Sequence, residues 1–266
     1  MLLLFVGDIM LSRGVENSVQ IHGNDWERPF APIAETLRKA DILFGNLESQ
    51  ISDKGRNVGS IYSFRAHPKS MTALQYGGFD VVSVANNHSF DYTKEAFEDS
   101  RSRLYRAGIL PVTDELVIKD MEGTNIGFLA YSNFPGPALA TWDTLENISR
   151  EIAQAKTKVD ILAVSLHAGE EYAKEPTDFQ KTFAKTAIDS GANLLIGHHP
   201  HVLQSLEQYE QGWIIYSLGN FLFDQTFSPE TMRGAILRVI IENKKIQEVS
   251  LLPTHITPTL QVKMTE

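Results

Sequence analysis

The sequence predicts an α/β fold with a largely parallel sheet and an added antiparallel part. Apolar runs of strand length alternate with amphipathic stretches through most of the chain, a pattern typical of parallel strands joined by crossover helices. The pattern changes from Trp213 onward, where apolar runs follow one another with short turns between them, as in antiparallel strands. No linker-like stretch divides the chain, so residues 1–266 are predicted to form one domain.

Short, continuous apolar runs predict the buried strands of the parallel part. Each run ends at glycine or polar residues, and none is long enough to show a helical period. These runs are Leu2–Val6, Ile42–Phe44, Val81–Val84, Ile161–Leu166 and Leu194–Ile196. Two hairpins are predicted in addition, from Glu115–Lys119 to Ile126–Tyr131 and from Ala235–Ile241 to Ile246–Leu252.

Helices are predicted where apolar residues recur three or four positions apart. Phe30, Ile33 and Leu37 have this spacing, and Pro29 stands in front of them, where proline is favoured in a first turn. The predicted helices are Pro29–Ala40, Pro68–Tyr76, Thr93–Ala107, a segment marked by Leu145, Ile148 and Ile152, and Phe179–Ile188.

Composition and charge exclude several classes of function. The formal net charge is −9 over 266 residues, whereas a general nucleic-acid binder needs a basic face, so no nucleic-acid partner is expected. An anionic substrate stays compatible with this charge, because bound cations invert the local field. The chain has no cysteine, so disulfides and thiolate metal sites are excluded, and any metal must be held by His, Asp, Glu or Asn.

The apolar stretches are too short for the membrane. Leu2–Val6 is shorter than the core of a signal peptide, and no later run reaches the roughly 18 apolar residues of a membrane span. We therefore expect no membrane segment in this chain. This pattern leaves the compartment in which the protein works open.

Polar residues that can bind metal directly follow five of the apolar strands. In open α/β sheets, ligands bind beyond the carboxyl ends of the strands, so these residues are predicted to share one crevice. His199 and His201 flank Pro200 in a stiffened turn that can aim two rings at neighbouring ions. In chain order the candidates are Asp8, Asn46 with Glu48, Asn86 with Asn87 and His88, His167, and His199 with His201.

These residue types suit a hard or borderline cation, so one or two divalent ions (Mn, Fe, Zn or Mg) are the expected cofactor. Each residue also has a structural alternative. Asp8 can cap a helix, and Glu48 can be a solvated loop carboxylate. Asn86 and Asn87 can be turn residues, and His167 can be a hydrogen-bonded core histidine. A metal site is favoured because it accounts for all of these placements at once.

Further residues are candidates for the surroundings of the site. Glu171 and Tyr172 come soon after a strand end and are expected either beside the ligands or in an exposed loop. Asn220 either orients a ligand or caps a turn. Arg13 either grips an anionic substrate or is a solvated surface residue. Asp91 either hydrogen-bonds a ring nitrogen of the nearby histidine or caps the helix that follows it.

Six motifs resemble, in order and over nearly the whole chain, those of the capsule synthesis protein CapA family, also called the poly-γ-glutamate biosynthesis (PgsA-like) family. Members of this family are usually exported or membrane-anchored. The resemblance implies an anionic polymer or a small molecule as the substrate, and other capsule-synthesis proteins as candidate partners. The motifs are Gly7–Leu11, Gly45–Glu48, Ala85–His88, His167–Tyr172, Gly197–Val202 and Tyr216–Phe221.

The CapA family is in turn similar to the calcineurin-like metallophosphoesterases, whose fold is a sandwich of two mixed β-sheets flanked by helices and whose site usually holds two metal ions. Carried over, His88 is the group that protonates the leaving group. Met10 departs from the pattern, since a second histidine ligand is expected there, so one metal site is expected to be weak, absent or rebuilt. The resemblance implies metal binding by Asp8, Glu48, Asn87, His167, His199 and His201.

Two hypotheses about function follow. The first is a metal-dependent, phosphoesterase-like hydrolase, in which a metal-activated water attacks a phosphoester or a γ-glutamyl-type amide bond and His88 acts as general acid. The second is a non-catalytic component of poly-γ-glutamate capsule synthesis or export that binds the anionic polymer. Met10 favours the second hypothesis. His88 favours the first, because a site that only binds metal does not need it.

Overall fold

Two large β-sheets with helices on their outer faces and a separate two-stranded sheet of β3 and β4 make up the protein, a computed structural model that describes residues 1–265. The strands of this segment are β1 (Leu2–Ile9), β2 (Ile42–Leu47), β3 (Gln50–Ile51), β4 (Arg65–Ala66), β5 (Val81–Ser83), β6 (Leu110–Val112), β7 (Val117–Met121), β8 (Thr124–Ser132), β9 (Ile161–His167), β10 (Leu194–His198), β11 (Leu206–Tyr209), β12 (Gly212–Ile215), β13 (Asn220–Leu222), β14 (Arg233–Glu242), β15 (Lys245–Ile256) and β16 (Val262–Met264). The α-helices are α1 (Arg13–Ile21), α2 (Ala34–Leu37), α3 (Met71–Gly77), α4 (Thr93–Arg106), α5 (Leu145–Lys156) and α6 (Asp178–Asp189), and 3₁₀ turns cover Pro68–Ser70 and Trp142–Thr144.

Both sheets mix parallel and antiparallel strands. The first has the order β16-β15-β14-β1-β2-β5-β6, and β13 pairs with β1 beside this path. Strands β1, β2, β5 and β6 run parallel to one another, whereas β14 is antiparallel to β1. The second sheet has the order β11-β12-β10-β9-β8-β7, with β8, β9, β10 and β12 parallel. This arrangement confirms the predicted sandwich of two mixed sheets flanked by helices.

The central strands are apolar on both faces because both faces are covered. Along β1, Leu3 and Phe5 point into the layer between the two sheets, whereas Leu4 and Val6 pack under the helices of the first sheet. Phe44 lies between the sheets too, with its ring 5.6 Å from that of Phe5 and 5.8 Å from that of Phe128 on the second sheet. Continuous apolar runs are therefore what this double burial requires.

The structure differs from the sequence-based prediction mainly in one helix and in the short elements. The helix predicted over Pro29–Ala40 is helical only over α2, because Pro32 lacks the backbone N–H that a regular helix needs and the chain before α2 turns irregularly. Helix α1 was not predicted, since only Val15 and Val19 mark its buried face. Strands β3, β4, β6, β11, β13 and β16 were also missed, and each has no more than four residues.

A short segment, Tyr216–Gly219, joins the carboxyl ends of the two sheets. The Leu218 N–H donates to the Gly197 carbonyl at the end of β10 (3.2 Å), and the Asp8 N–H in β1 donates to the Gly219 carbonyl (3.0 Å). The approach is so close that a Cβ on Gly7 would collide with the Gly219 carbonyl, and one on Gly197 would collide with that of Tyr216. Glycine at positions 7 and 197 is therefore required by the packing of backbone on backbone.

We predict that Gly7→Ala destabilises the protein by about 3 kcal/mol or more, because the backbone of both partners must shift to admit the methyl group. The free energy of unfolding in urea measures this. Gly123→Ala is the control, since a Cβ there meets nothing within 4 Å but takes a φ of +84°, which costs about 1–2 kcal/mol. Equal losses in the two variants would contradict the prediction.

Candidate metal centre

The predicted site residues of both sheets come together at the joined strand ends. Asn46 in β2 connects the two sheets, because its Nδ2 donates to Asp8 Oδ1 (2.8 Å) and lies 3.2 Å from His167 Nδ1. Asn86 supports Asn46 in turn, donating to its Oδ1 (3.2 Å) and to the Leu47 carbonyl (2.9 Å). Asp8, Asn46 and His167 are fully buried. The amide of Asn46 therefore fixes the positions of a carboxylate and an imidazole from different sheets.

Asn87, His167 and His199 form the part of the site that lies against the second sheet. His167 Nε2 lies 2.9 Å from Asn87 Oδ1 and 3.2 Å from His199 Nδ1. An imidazole nitrogen and an amide oxygen both carry lone pairs that a divalent cation accepts. Three potential ligand atoms thus surround one point, in keeping with the strand-end pattern of the sequence.

The turn after β10 is held in an unusual backbone conformation. His199 and His201 have φ values of 99° and 59°, a region that residues other than glycine rarely adopt and that costs about 1–3 kcal/mol per residue. The His199 N–H donates to Asp8 Oδ2 (3.1 Å), and His201 Nδ1 lies 3.3 Å from the same oxygen. A protein keeps a strained backbone of this kind where side chains have to point in particular directions. Metal ligands are side chains with this requirement.

Asn220 fixes the orientation of the His201 ring. Its Oδ1 lies 2.9 Å from His201 Nδ1, while its Nδ2 donates to Gln225 Oε1 (3.0 Å) and to the Thr231 carbonyl (2.9 Å). Because Nδ1 is engaged by Asn220, Nε2 is the ring atom of His201 that remains for a ligand. Asn220 is a neighbour of the cluster that orients one of its histidines.

Glu48 lies in the middle of the cluster and is fully buried, yet neither of its carboxylate oxygens has a hydrogen-bond partner among the described residues. Its Oε1 lies 3.7 Å from His88 Nε2, 3.8 Å from His201 Nε2 and 3.9 Å from His167 Nε2. Burial, and then the nearby charges of Asp8, Glu171 and Asp91, hold the pKa of Glu48 well above its ordinary value. A buried carboxylate without donors is costly unless a cation compensates it.

The neighbouring groups are in the protonation states that a cation needs. Burial acts to raise the pKa of Asp8, but the contacts with His198 and His201 outweigh it and hold that pKa well below the usual value. Burial, and then the charges of neighbouring histidines, lower the pKa of His199 to about 3 and that of His167 well below its ordinary value. Asp8 is thus an anion and the two rings are neutral, as metal ligands must be.

Two groups of potential ligands emerge from this geometry, each with its ligand atoms within 4.8 Å of one another. One group is Asp8, Glu48 and His167, and the other is Glu171, His199 and His201. The donor set of carboxylates and neutral imidazoles fits a divalent ion of the Mn, Fe or Zn type. The oxygens of Glu48, which have no hydrogen-bond partner among the described residues, are the observation that fits such an ion best.

His88 is held at the edge of the cluster by Asp91. Asp91 Oδ2 lies 2.7 Å from His88 Nδ1 and also accepts from the Phe64 N–H (2.7 Å). The backbone N–H of His88 donates to Asn86 Oδ1 (3.1 Å), and the Phe64 ring lies 3.8 Å from the imidazole. Asp91 does not cap α4, because the N-cap residue of this helix is Tyr92 and no side chain makes a capping hydrogen bond there.

A cleft of about 600 Å³ opens from this cluster to the surface. Tyr172 and Phe227 form an aromatic wall, with their rings 5.2 Å apart. Arg13 lies in the cleft, over the Phe64 ring at 5.0 Å, but its guanidinium is paired with Asp224 at 3.1 Å. Among the described residues that line the cleft, Arg13 is the one with a permanent positive charge, and that charge is already compensated.

His198 is a residue of the cluster that the sequence-based assignment of the site left out. It is buried, and its Nδ1 lies 3.4 Å from Asp8 Oδ1, an electrostatic contact rather than a well-formed hydrogen bond. Successive side chains of a strand point to opposite faces. His198 is the last residue of β10, so its ring points away from that of His199 and lies under Asp8. Its place in the run of histidines was the only signal for it.

The fold and the cluster together define an α/β sandwich with a candidate metal centre at its joined strand ends. The chain belongs to the family described as bacterial capsule synthesis protein PGA_cap, whose model matches residues 2–225. It is thus a member of the CapA group that the six sequence motifs predicted, a group associated with capsule and poly-γ-glutamate biosynthesis.

Individual relatives agree with this assignment. The chain is 30% identical over 275 residues to the capsule biosynthesis protein CapA of Bacillus anthracis, covering 94% of this chain and 66% of that protein. It is 30% identical over 271 residues to the PGA biosynthesis protein CapA of Bacillus subtilis strain 168, covering 95% of this chain and 70% of that protein. The chain thus spans about two thirds of the length of these relatives.

A solved structure shares the architecture. A hypothetical protein from Thermus thermophilus superposes with a TM-score of 0.59 at 15% sequence identity, covering 95% of this chain and 98% of that one. A similarity of this degree concerns the fold alone. No helix within residues 1–265 has the length and apolar character needed to cross a membrane.

We predict that metal binding strengthens as the pH rises, and that Glu48 is the main source of this dependence. The raised pKa of Glu48 keeps its carboxyl protonated above the ordinary carboxylate range, so an incoming ion must displace a proton there. His167 and His199 have lowered pKa values, so they are neutral in the same range and release none. Calorimetric titration with Mn²⁺ or Zn²⁺ in buffers of different ionisation enthalpy counts the protons released. Glu48→Gln should abolish the release, and a release that persists in that variant would contradict the assignment.

Proposed function

We propose that this chain is a metal-dependent hydrolase of capsule or poly-γ-glutamate metabolism, acting on a phosphoester or a γ-glutamyl-type amide bond. The observation that supports the proposal most strongly is the carboxylate of Glu48, buried without a hydrogen bond among histidine nitrogens. A stable fold would not keep such a group uncompensated. A site that compensates it with divalent ions would also be adjacent to the cleft in which a substrate binds.

The residues have distinct proposed roles. One or two divalent ions would be held by Asp8, Glu48, Asn87, His167, His199 and His201. Asn46 and Asn220 contact two of these side chains, Asp8 and His201, and orient them. Asn86 in turn supports Asn46. Bound ions would supply positive charge and a water of lowered pKa. The aromatic wall of Tyr172 and Phe227 shields the site from bulk water on one side of the cleft.

His88 is the proposed general acid. Its Nδ1 is engaged by Asp91, so Nε2 is the ring atom available to a substrate in the cleft. The Phe64 ring packs against the imidazole and limits its rotation. An imidazole held in this way can donate a proton to a leaving group, an effect that is typically worth about 10²–10⁴ in rate.

The alternative function is a non-catalytic component that binds the anionic polymer. It is supported by the family's association with capsule synthesis and by Met10, which stands where a ligand is expected. The cleft argues against simple electrostatic capture of polyanions, because its one permanent cation is paired with Asp224 and Glu171 adds negative charge. A polyanion would therefore depend on the metal ions for its attraction.

We predict that His88→Ala retains its metal and its fold but loses about two to four orders of magnitude in hydrolysis rate, because it removes the acid and no ligand. His199→Ala should lose metal as well as activity. The measurements are metal content by mass spectrometry, and hydrolysis of an aryl phosphodiester and of poly-γ-glutamate with Mn²⁺ or Zn²⁺. His22→Ala, a change at an exposed histidine, is the matched control.

The outcomes separate the two functions. A metal-loaded wild type that hydrolyses neither substrate class but binds poly-γ-glutamate establishes the binding function and overturns the hydrolase. A fully active His88→Ala variant shows that another group is the acid, while the hydrolase itself stands.

A further inference from the structure

Met10 cannot take the place of the histidine ligand that the metallophosphoesterase pattern leads one to expect at its position. Its side chain is fully buried, and its sulfur accepts hydrogen bonds from the backbone N–H (3.2 Å) and the hydroxyl (3.1 Å) of Ser12. A thioether is in any case a poor ligand for hard cations. The metal nearest His201 is therefore one ligand short unless another residue supplies it.

Glu171, in the loop after β9, is a nearby carboxylate that can do so. An oxygen of its carboxylate and ring nitrogens of His199 and His201 lie within 4.8 Å of one another. Two ligands that each lie about 2.0–2.2 Å from one ion are at most about 4.4 Å apart. The three groups are thus within a fraction of an ångström of a common coordination sphere.

The backbone fixes Glu171 beside the two histidines. The N–H of the next residue, Tyr172, donates to the Pro200 carbonyl (2.8 Å) in the turn between His199 and His201. Tyr172 takes a φ of 67°, and Gln225 Nε2 donates to its hydroxyl (3.2 Å). The loop and the turn therefore form one unit, although Glu171 itself is exposed to the cleft.

Glu48 provides an independent indication that a cation belongs next to this group. Its carboxylate oxygens have no hydrogen-bond partner among the described residues, and Oε1 lies 3.8 Å from His201 Nε2 on one side and 3.9 Å from His167 Nε2 on the other. Glu48 thus belongs to the group that contains His167 and also lies next to His201 of the other group. A carboxylate there can contact an ion in either group.

We propose that Glu171 is a metal ligand, binding the ion held by His199 and His201 and replacing the ligand that is missing at Met10. The inference rests on the proposed function only in requiring that divalent ions bind, and it does not require hydrolysis. It also means that the site is rebuilt rather than degraded. The new ligand enters from the cleft side, where the side chain is open to solvent, instead of from the buried end of β1.

The test compares Glu171→Gln with Glu170→Gln in the full chain. Both variants remove one negative charge from adjacent exposed positions, but only Glu171 belongs to the ligand group. Calorimetric titration with Mn²⁺, together with the electron paramagnetic resonance spectrum of bound Mn²⁺, reports affinity and coordination without any activity. We expect Glu171→Gln to lower the binding affinity for one ion by at least about tenfold, which is the lower end of the loss seen for residues that merely support a ligand. Glu170→Gln should bind Mn²⁺ with the affinity of the wild type.

A second variant tests the replacement directly. Met10→His in the Glu171→Gln background places a ligand at the position where the metallophosphoesterase pattern has one, so it should recover metal affinity. Unchanged affinity in Glu171→Gln, or an equal loss in Glu170→Gln, would overturn the proposal. Thermal unfolding with a chelator present checks that all variants fold. A protein that binds ions through Glu171 but hydrolyses nothing would refute the hydrolase and leave Glu171 as a ligand.

Discussion

The backbone of Tyr216–Gly219 runs between the carboxyl ends of the two sheets and hydrogen-bonds to both of them. This contact brings the end of β1, with Asp8, to the turn after β10, with His199 and His201. It is possible only because Gly7 and Gly197 have no side chain to separate the backbones. The distances between candidate ligands of different sheets, such as Asp8 and His199, depend on this junction.

Electrostatics inside the junction follow from burial. Burial disfavours the charged forms of Asp8 and Glu48, which lie close together. The surroundings of the two carboxylates differ. Asp8 is held as an anion by contacts with His198 and His201, whereas Glu48 has no donor among the described residues and its pKa is raised. The pair therefore has one stable negative charge and one that a proton or a cation must compensate. A divalent ion would compensate both carboxylates, which would connect the stability of the fold with the proposed chemistry.

The side chains that line the cleft bear on how an anionic substrate would be attracted. One wall of the cleft is formed by Tyr172 and Phe227, and its permanent cation is paired with Asp224, so the attraction for an anionic substrate would have to come from metal ions bound at the candidate centre. Glu171 would reduce the charge of that centre while completing it, because a carboxylate ligand neutralises part of the ion's charge. An ion with a cleft-facing, solvent-exposed ligand is also the ion that a substrate reaches most readily.

The amino-acid sequence alone predicted the α/β class, the central strands and most residues of the cluster. It could do so because doubly buried strands must be continuously apolar, and the polar residues that end them, such as Asp8 and His167, lie where parallel strands finish together. The two-sheet sandwich came from the family resemblance rather than from any local pattern. Helix α1 and the strands of two to four residues were missed because too few buried residues mark them. The packed structure was needed to show that Asp91 contacts His88, that Arg13 is neutralised by Asp224, and that a carboxylate oxygen of Glu171 lies within 4.8 Å of ring nitrogens of His199 and His201. Arg13 and Glu171 meet partners that are distant in the chain, so no local pattern of residues encodes these contacts. Asp91 and His88 lie three residues apart in one turn, and the conformation of that turn decides between the two roles that the sequence left open for Asp91.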